Sequence, residues 1–159
     1  MDMLMPLVVT SSAFSHGGSI PEQYTGYGED VSPPFHISGL SSAAVSLAII
    51  LDDLDVPLFS AYPHWLIWDI TPVEDIPAHI PHGKRTLDRA VQGIAYGRNR
   101  YRGPKPPFFA HKPHRYRFSF YALDCFLGAD AASDRKTLVK AMKGHILQQG
   151  SILGTYRHA

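Results

Sequence analysis

Three short apolar runs, each bounded by titratable residues, constrain this chain more than any other feature. Ala44-Val45-Ser46-Leu47-Ala48-Ile49-Ile50-Leu51 enters the acidic turn Asp53-Leu54-Asp55-Val56-Pro57. Trp65-Leu66-Ile67-Trp68 follows Pro63-His64, and Phe118-Ser119-Phe120-Tyr121-Ala122-Leu123 follows Pro113-His114-Arg115-Tyr116. Each run reads as a buried strand, by its length, its β-branched and aromatic content and the turn residues at its ends. Two carboxylates, two imidazoles and a phenol therefore sit where apolar strands stop. A small pocket with orienting polar groups is built this way.

The rest of the chain reads as turns and more strands. Its 159 residues include 13 Gly and 13 Pro, which implies many turns. A length of this order fits one domain over residues 1–159. Residues 7–10 and 20–24 read as edge-like strands. Residues 31–37 contain Pro33 and Pro34 and fit only an edge or bulged strand, because proline cannot donate to a ladder. Residues 71–89, with Pro72, Pro77 and Pro81, read as an excursion with little regular structure. Residues 92–107, rich in Gly, Arg and Pro, read as a long loop of the kind that carries function. One helix is expected over residues 134–143, capped by Ser133 or Asp134, with Leu138, Val139 and Met142 turned inward. Gly144 then occupies the left-handed position after it. Residues 146–156 read as a closing strand. Many strands with one or two late helices predict a mainly β fold, an antiparallel β-sandwich.

Composition narrows the partners. Net charge is +1, so no global field favours nucleic acid or an anionic membrane. Cys125 is the single cysteine; it cannot form an intrachain disulfide, which fits a reducing compartment. Asp2 stands where a signal peptide would be basic, and Pro6 interrupts the short apolar stretch. No run approaches the roughly 20 apolar residues of a membrane span. A cytoplasmic location is the expectation. No Gly-x-Gly-x-x-Gly, Walker-type loop or Gly-x-Ser-x-Gly occurs, so no cofactor is expected. His111-x-x-His114 and His79-x-x-His82 have ligand-like spacing, but each contains a proline and no thiolate set accompanies them; no metal is expected.

Two readings of His64 and His114 stand side by side. Each can be a structural histidine tying a loop to backbone. Alternatively, both rings point N–H groups into one cavity, where the free nitrogen is directed by whatever the other nitrogen bonds. Asp53 and Asp55 are suitable orienters, and a carboxylate accepting from an imidazole favours the cationic ring, a better anion donor. Asp55 can instead hold the turn by bonding its own backbone. Tyr116 lies two residues beyond His114 and shares its strand face. Arg115 then points the other way, toward a structural salt bridge. Arg98, Arg100 and Arg102 read as a solvated loop face. Phe108 and Phe109 are expected to cover the pocket or a protein contact, because exposed apolar patches are costly.

Together these residues carry a resemblance. Asp53-Leu54-Asp55-Val56-Pro57 resembles the Asp-Pro-Asp-Ala-Pro motif of the phosphatidylethanolamine-binding protein family, also called Raf kinase inhibitor proteins. His64-Trp65 resembles its His-Trp element. Gly103-Pro104-Lys105-Pro106-Pro107 and His114-Arg115-Tyr116 resemble its Gly-Pro-x-Pro-Pro and His-Arg-Tyr elements. Order and spacing agree from Val31-Ser32-Pro33 to Gly154-Thr155-Tyr156, and the tail and Tyr121-Ala122-Leu123-Asp124 are closer to the prokaryotic branch. The resemblance implies an antiparallel β-sandwich with a small anion pocket for phosphate-like groups, including phosphoethanolamine head groups. Asp53, His64, His114 and Tyr116 match the pocket, and the backbone near Lys105 and Pro106 matches its wall. Leu54 and Val56 depart from the motif. The family's additional pocket tyrosine has no clean counterpart; Tyr62 is nearby at a different spacing. Residues 108–113 insert between the last two elements.

The expected function is binding of a small phosphorylated or carboxylated ligand without turnover. His64, His114 and Tyr116 would donate to one oxyanion, with Asp53 orienting an imidazole and Asp55, Pro57 and Arg115 in support. One alternative is a protein-binding regulator, as kinase-inhibitory relatives are. Another is a phosphoester hydrolase using Asp53 and His64 as an acid–base pair. Three structural expectations accompany this reading. The polar atoms of Asp53, His64, His114 and Tyr116 converge within about 8 Å. The Val56–Pro57 bond is cis. The chain forms a homodimer, because Phe108, Phe109 and residues 71–81 leave apolar surface to cover.

Overall fold

The computed structural model describes residues 4–158; Asp2, on which the signal-peptide reading partly rests, lies outside them. The three apolar runs become β3 (Ser46–Asp53), β4 (Tyr62–Ile70) and β8 (His114–Leu123), and the closing strand is β9 (Ile146–Tyr156). With β6 (Arg85–Thr86) and β7 (Ala90–Gln92) they form a six-stranded antiparallel sheet in the order β6-β7-β4-β3-β8-β9. A smaller sheet of β1 (Val8–Thr10), β2 (Phe35–Ser38) and β5 (Asp75–Ile76) lies against one face of it.

Every residue of β3 is buried because both of its faces are covered. Leu47, Ile49 and Leu51 meet Phe35 and Ile37 of the small sheet, together with Phe118 and Phe120. Ala48 and Ile50 join Leu66 and Trp68 beneath Leu138 and Met142 of α1 (Arg135–Met142). A strand covered on both sides reads as an unbroken apolar run instead of an alternating one. Each fully buried aliphatic side chain contributes about 1.5–3 kcal/mol.

The helix starts where its cap dictates. The Asp134 carboxylate accepts from Thr137 N–H at 2.9 Å, and Gly144 follows at φ 85°, the conformation glycine adopts without a Cβ penalty. Arg135 forks onto Asp52 through two 2.9 Å bonds, which pins the helix to β3. Val139, expected inward, is exposed. A stripe of Leu138 and Met142, four residues apart, is enough to cover this part of the sheet.

Three other expectations are corrected. Residues 20–24 are not a strand: Glu22–Tyr24 is one turn of 3-10 helix after Pro21, and only Ser19 bridges to β9, at Thr155. β2 is the central strand of its sheet, because Pro33 and Pro34 fall before its first paired residue, Phe35. The excursion over residues 71–89 holds β5 and β6 and buries its own Ile76 and Ile80. Among the described residues, no helix is long and apolar enough to cross a membrane.

Candidate functional site

The register of the large sheet assembles the site. Asp53, at the end of β3, pairs with Tyr116 on β8 and with Tyr62 on β4. His114 lies two residues before Tyr116 and shares its face, so its ring reaches back to the same carboxylate. His114 Nδ1 stands 2.8 Å from Asp53 Oδ2. Since an ionised carboxylate only accepts, Nδ1 carries the proton and Nε2 is left outside this pair. Asp53 Oδ1 accepts from Asp55 N–H at 2.8 Å. Both oxygens of this buried carboxylate are thereby engaged.

His64 reaches the cluster by a bulge. Pairing steps from Leu51↔Trp65 to Asp52↔Pro63 and skips His64. Strict alternation would send His64 to the helix side with Leu66 and Trp68. A bulge breaks that alternation and re-aims the side chain, and the ring stands edge-on to Tyr116 at 5.6 Å and to Tyr96 at 4.8 Å. His64 is 2% exposed. Its Nδ1–H donates to the Arg102 carbonyl at 2.9 Å, while Arg102 N–H donates to the His64 carbonyl at 3.2 Å. Burial holds the His64 pKa below its ordinary value, with the Arg102 carbonyl and Asp53 pulling back only in part. The ring is therefore neutral at pH 7, and its Nε2 is an acceptor that finds no partner among the described residues.

Tyr116 is fully buried, and its hydroxyl also has no partner among the described residues. Burial first, then the Asp53 carboxylate, whose charge and acceptor oxygens lie near the hydroxyl though outside hydrogen-bond geometry, pushes this phenol far up, so it stays a donor. Tyr116 thus links the two histidines, its ring 6.3 Å from His114 and 5.6 Å from His64 centroid to centroid, and Tyr116 and His64 each carry an orphaned polar atom, one donor and one acceptor. Buried polar groups are almost always satisfied, and each exception asks for an explanation.

Tyr62 and Tyr96 close the site from above. Tyr96 packs edge-on against Tyr62 at 5.2 Å, and the Arg102 guanidinium lies over its ring at 5.1 Å. Tyr96 and Gly97 both have positive φ, 53° and 68°, in a turn where Ala95 and Arg98 exchange backbone bonds. This is the hairpin-turn pattern whose twist matches paired strands. The sequence reading missed Tyr96; the Tyr96-Gly97 pair within the long loop was the available signal.

The remaining candidates take structural places. Asp55 neither orients an imidazole nor bonds its own turn. It receives Arg115 Nε and Nη2, both at 3.0 Å, and Arg115 N–H at 2.7 Å, and Arg115 holds its carboxyl below the usual range. Arg115 points away from the cluster, as strand alternation requires. Val56–Pro57 is trans, since no cis peptide occurs among the described residues. The reversal is made instead by Leu58 at φ 72° and by the Asp53–Asp55 bond. Pro106 is buried with its carbonyl accepting from the Tyr27 hydroxyl, and the Lys105 ammonium lies over the Tyr27 ring at 5.7 Å. The segment they belong to begins at Gly103, where a Cβ would stand 2.1 Å from the Tyr24 carbonyl oxygen. Phe108 and Phe109 do not pack over the His64–His114–Tyr116 cluster; they are 78% and 68% exposed. Their loop lines an open groove of about 510 Å³ beside His114, with Asp55, His111, Lys112 and Arg115.

Comparison with known proteins agrees with this architecture. The family model described as "Phosphatidylethanolamine-binding protein" matches residues 10–157. A UPF0098 protein of Pyrococcus abyssi is 42% identical over 154 residues, covering 94% of this chain and 85% of the relative. A UPF0098 protein of Chlamydia muridarum is 38% identical over 153 residues, covering 93% and 97%. Among solved structures, a phosphatidylethanolamine-binding protein homologue from Chlamydia trachomatis superposes with a TM-score of 0.84 at 33% identity, covering 97% of this chain and 99% of that one. E. coli YbcL, described as a new member of the mammalian family, superposes with a TM-score of 0.88 at 25% identity, covering 98% and 100%. The chain belongs to the phosphatidylethanolamine-binding protein family.

Proposed function

We propose that the chain binds a small phosphate-like oxyanion between His64, His114 and Tyr116 and does not turn it over. The observation that carries this is the pair of orphaned atoms, His64 Nε2 and the Tyr116 hydroxyl, beside a ring whose Nδ1 is already committed to Asp53. Tyr116 O–H donates to a ligand oxygen, and His114 Nε2 does so when its ring is in the imidazolium form, with Nδ1–H kept on Asp53. Neutral His64 accepts, so the best complement is a singly protonated phosphate or phosphomonoester, whose P–OH donates to Nε2. Moving that proton onto the ring gives the equivalent pair of dianion and imidazolium.

Binding without hydrolysis is supported by how Asp53 is used. Both of its oxygens accept N–H bonds, and its imidazole partner is His114, so Asp53 is not free to pair with His64 as the acid–base couple of a hydrolase. The second reading, a protein-binding surface or a homodimer, is favoured by the exposure of Phe108 and Phe109. A cytoplasmic location goes with either.

Calorimetric titration with inorganic phosphate and with phosphoethanolamine tests the pocket. Tyr116→Phe should weaken both about tenfold, the loss of one hydrogen bond worth about 1.4 kcal/mol. Equal affinity in wild type and Tyr116→Phe overturns the assignment. Release of phosphate from p-nitrophenyl phosphate that disappears in His64→Gln would restore the hydrolase reading.

A further inference from the structure

The opposite end of β8 carries a second cluster of reactive side chains. Asp124 and Cys125 follow the last residue of β8, and His145 precedes the first of β9. One ligand atom from each of the three lies within 4.8 Å of the others. The loop that brings them together is the β8–α1–β9 connection, closed by the left-handed Gly144.

We propose that Asp124, Cys125 and His145 form a binding site for a thiophilic divalent cation of the Zn²⁺ class. One thiolate, one imidazole and one carboxylate make the mixed N/O/S set that such ions take, and that Mg²⁺ and Ca²⁺ do not. Tetrahedral bonds of about 2.0–2.3 Å separate ligand atoms by roughly 3.3–3.8 Å, so the three need little rearrangement. The changes needed are the closing of separations of up to 4.8 Å and the opening of the His145 Nδ1–Asp124 Oδ1 contact from 2.8 Å, each of about 1 Å.

The backbone already holds all three in place. Asp124 N–H donates to the His145 carbonyl at 3.0 Å, and His145 N–H donates to Met142 at 2.9 Å. The buried Ser46 hydroxyl donates to the Cys125 carbonyl at 2.6 Å. The side chains of Asp124 and His145 are each 46% exposed, which leaves the ion a path from solvent and a fourth position for water. Binding forms an S–metal bond and releases the thiol proton to solvent; nothing is oxidised or reduced. The cluster follows the far end of β8, a ten-residue strand that begins at His114, so the two lie on the order of 30 Å apart along an extended strand. The two sites are therefore independent in what they bind.

Co²⁺ titration of the reduced full chain tests this, because the chain has a single cysteine and a thiolate-to-cobalt charge-transfer band can report only on Cys125. The band should saturate at one Co²⁺ per chain, be displaced by Zn²⁺, and vanish in Cys125→Ser. His145→Gln should weaken Co²⁺ binding at least about tenfold, the scale of losing a ligand's support. Far-ultraviolet circular dichroism verifies that Cys125→Ser is folded, and His145→Gln supplies the test where it is not. Absence of the band at excess Co²⁺ overturns the site. So does saturation at one Co²⁺ per two chains with a doubled mass, since the cysteine would then bridge molecules. Phosphate titration of Cys125→Ser should match wild type whichever way the cobalt result falls.

Discussion

Asp53–His114 and Asp124–His145 are the same pair by local geometry: in each, an imidazole Nδ1 stands 2.8 Å from a carboxylate oxygen. Their surroundings differ. The side chains of the first pair are 4% and 15% exposed, those of the second 46% and 46%. Around Asp53 the protein supplies what water would: one carboxylate oxygen accepts from Asp55 N–H and the other from His114 Nδ1–H. Around Asp124 the solvent remains. A buried charge is costly to leave alone, and an exposed pair is worth little. The same two residue types therefore orient a donor in one place and stay open to a cation in the other.

Removing each carboxylate is the strongest way to break that contrast. Asp53→Ala should cost about 3 kcal/mol of unfolding free energy, the low end for breaking a buried pair, and should strip His114 of its orientation. Asp124→Ala should cost less than about 1 kcal/mol. Urea unfolding of both variants checks this. Equal costs would mean that burial does not separate the pairs.

A second effect concerns His64, whose pKa burial lowers. Its folded value lies below the unfolded one near 6.5, so the unfolded chain takes up the proton first. The stability that neutral His64 contributes is fully present above about pH 6.5 and is lost as pH falls toward the lower folded value. Sulfate, which keeps its charge across this range, favours the protonated ring. Its affinity should rise as pH falls from about 7 toward 5.5, by up to about tenfold per unit for one coupled proton. Calorimetry at several pH values measures the slope, and one that persists undiminished in His64→Gln would assign the coupling elsewhere. His145→Gln should leave the slope unchanged.

The smallest expected effect sharpens how the buried site is reached. Tyr96 is half-exposed above a His64 that is not. Tyr96→Ala should speed phosphate association several-fold, within the one to three decades over which association rates vary among variants of one site, with a smaller change in affinity. Stopped-flow mixing reads both rates. Unchanged association would place the opening on the His114 side, along the groove lined by residues 110–115.

Much of this was legible in residue order because it depends on local rules. Apolar runs ending at Asp53, beginning near His64 and beginning near Tyr116 are strands by length and composition, and their ends must meet if the strands pair. Period-two alternation alone puts His114 and Tyr116 on one face and Arg115 on the other. The helix is bounded by Asp134 and Gly144 for reasons that reside in those residues.

Other features depend on partners distant in sequence. His64 faces Tyr116 because pairing slips between Leu51 and Asp52, and a slip belongs to two strands, not to either one. Tyr96 meets His64 through a turn 32 residues away in sequence. Val139 is exposed because Leu138 and Met142 of α1, with Leu127, Ala129 and Ala131 of the preceding loop, already cover that face of the sheet. The trans Val56–Pro57 bond follows from Leu58 and Asp53 sharing the work of reversal. Asp124, Cys125 and His145 converge only when β8 and β9 close side by side. The amino-acid order determined the strands, the helix boundaries and the chemistry placed at their ends. Tertiary structure decided where those side chains aim and how much water reaches them, because register and burial are properties of packed neighbours.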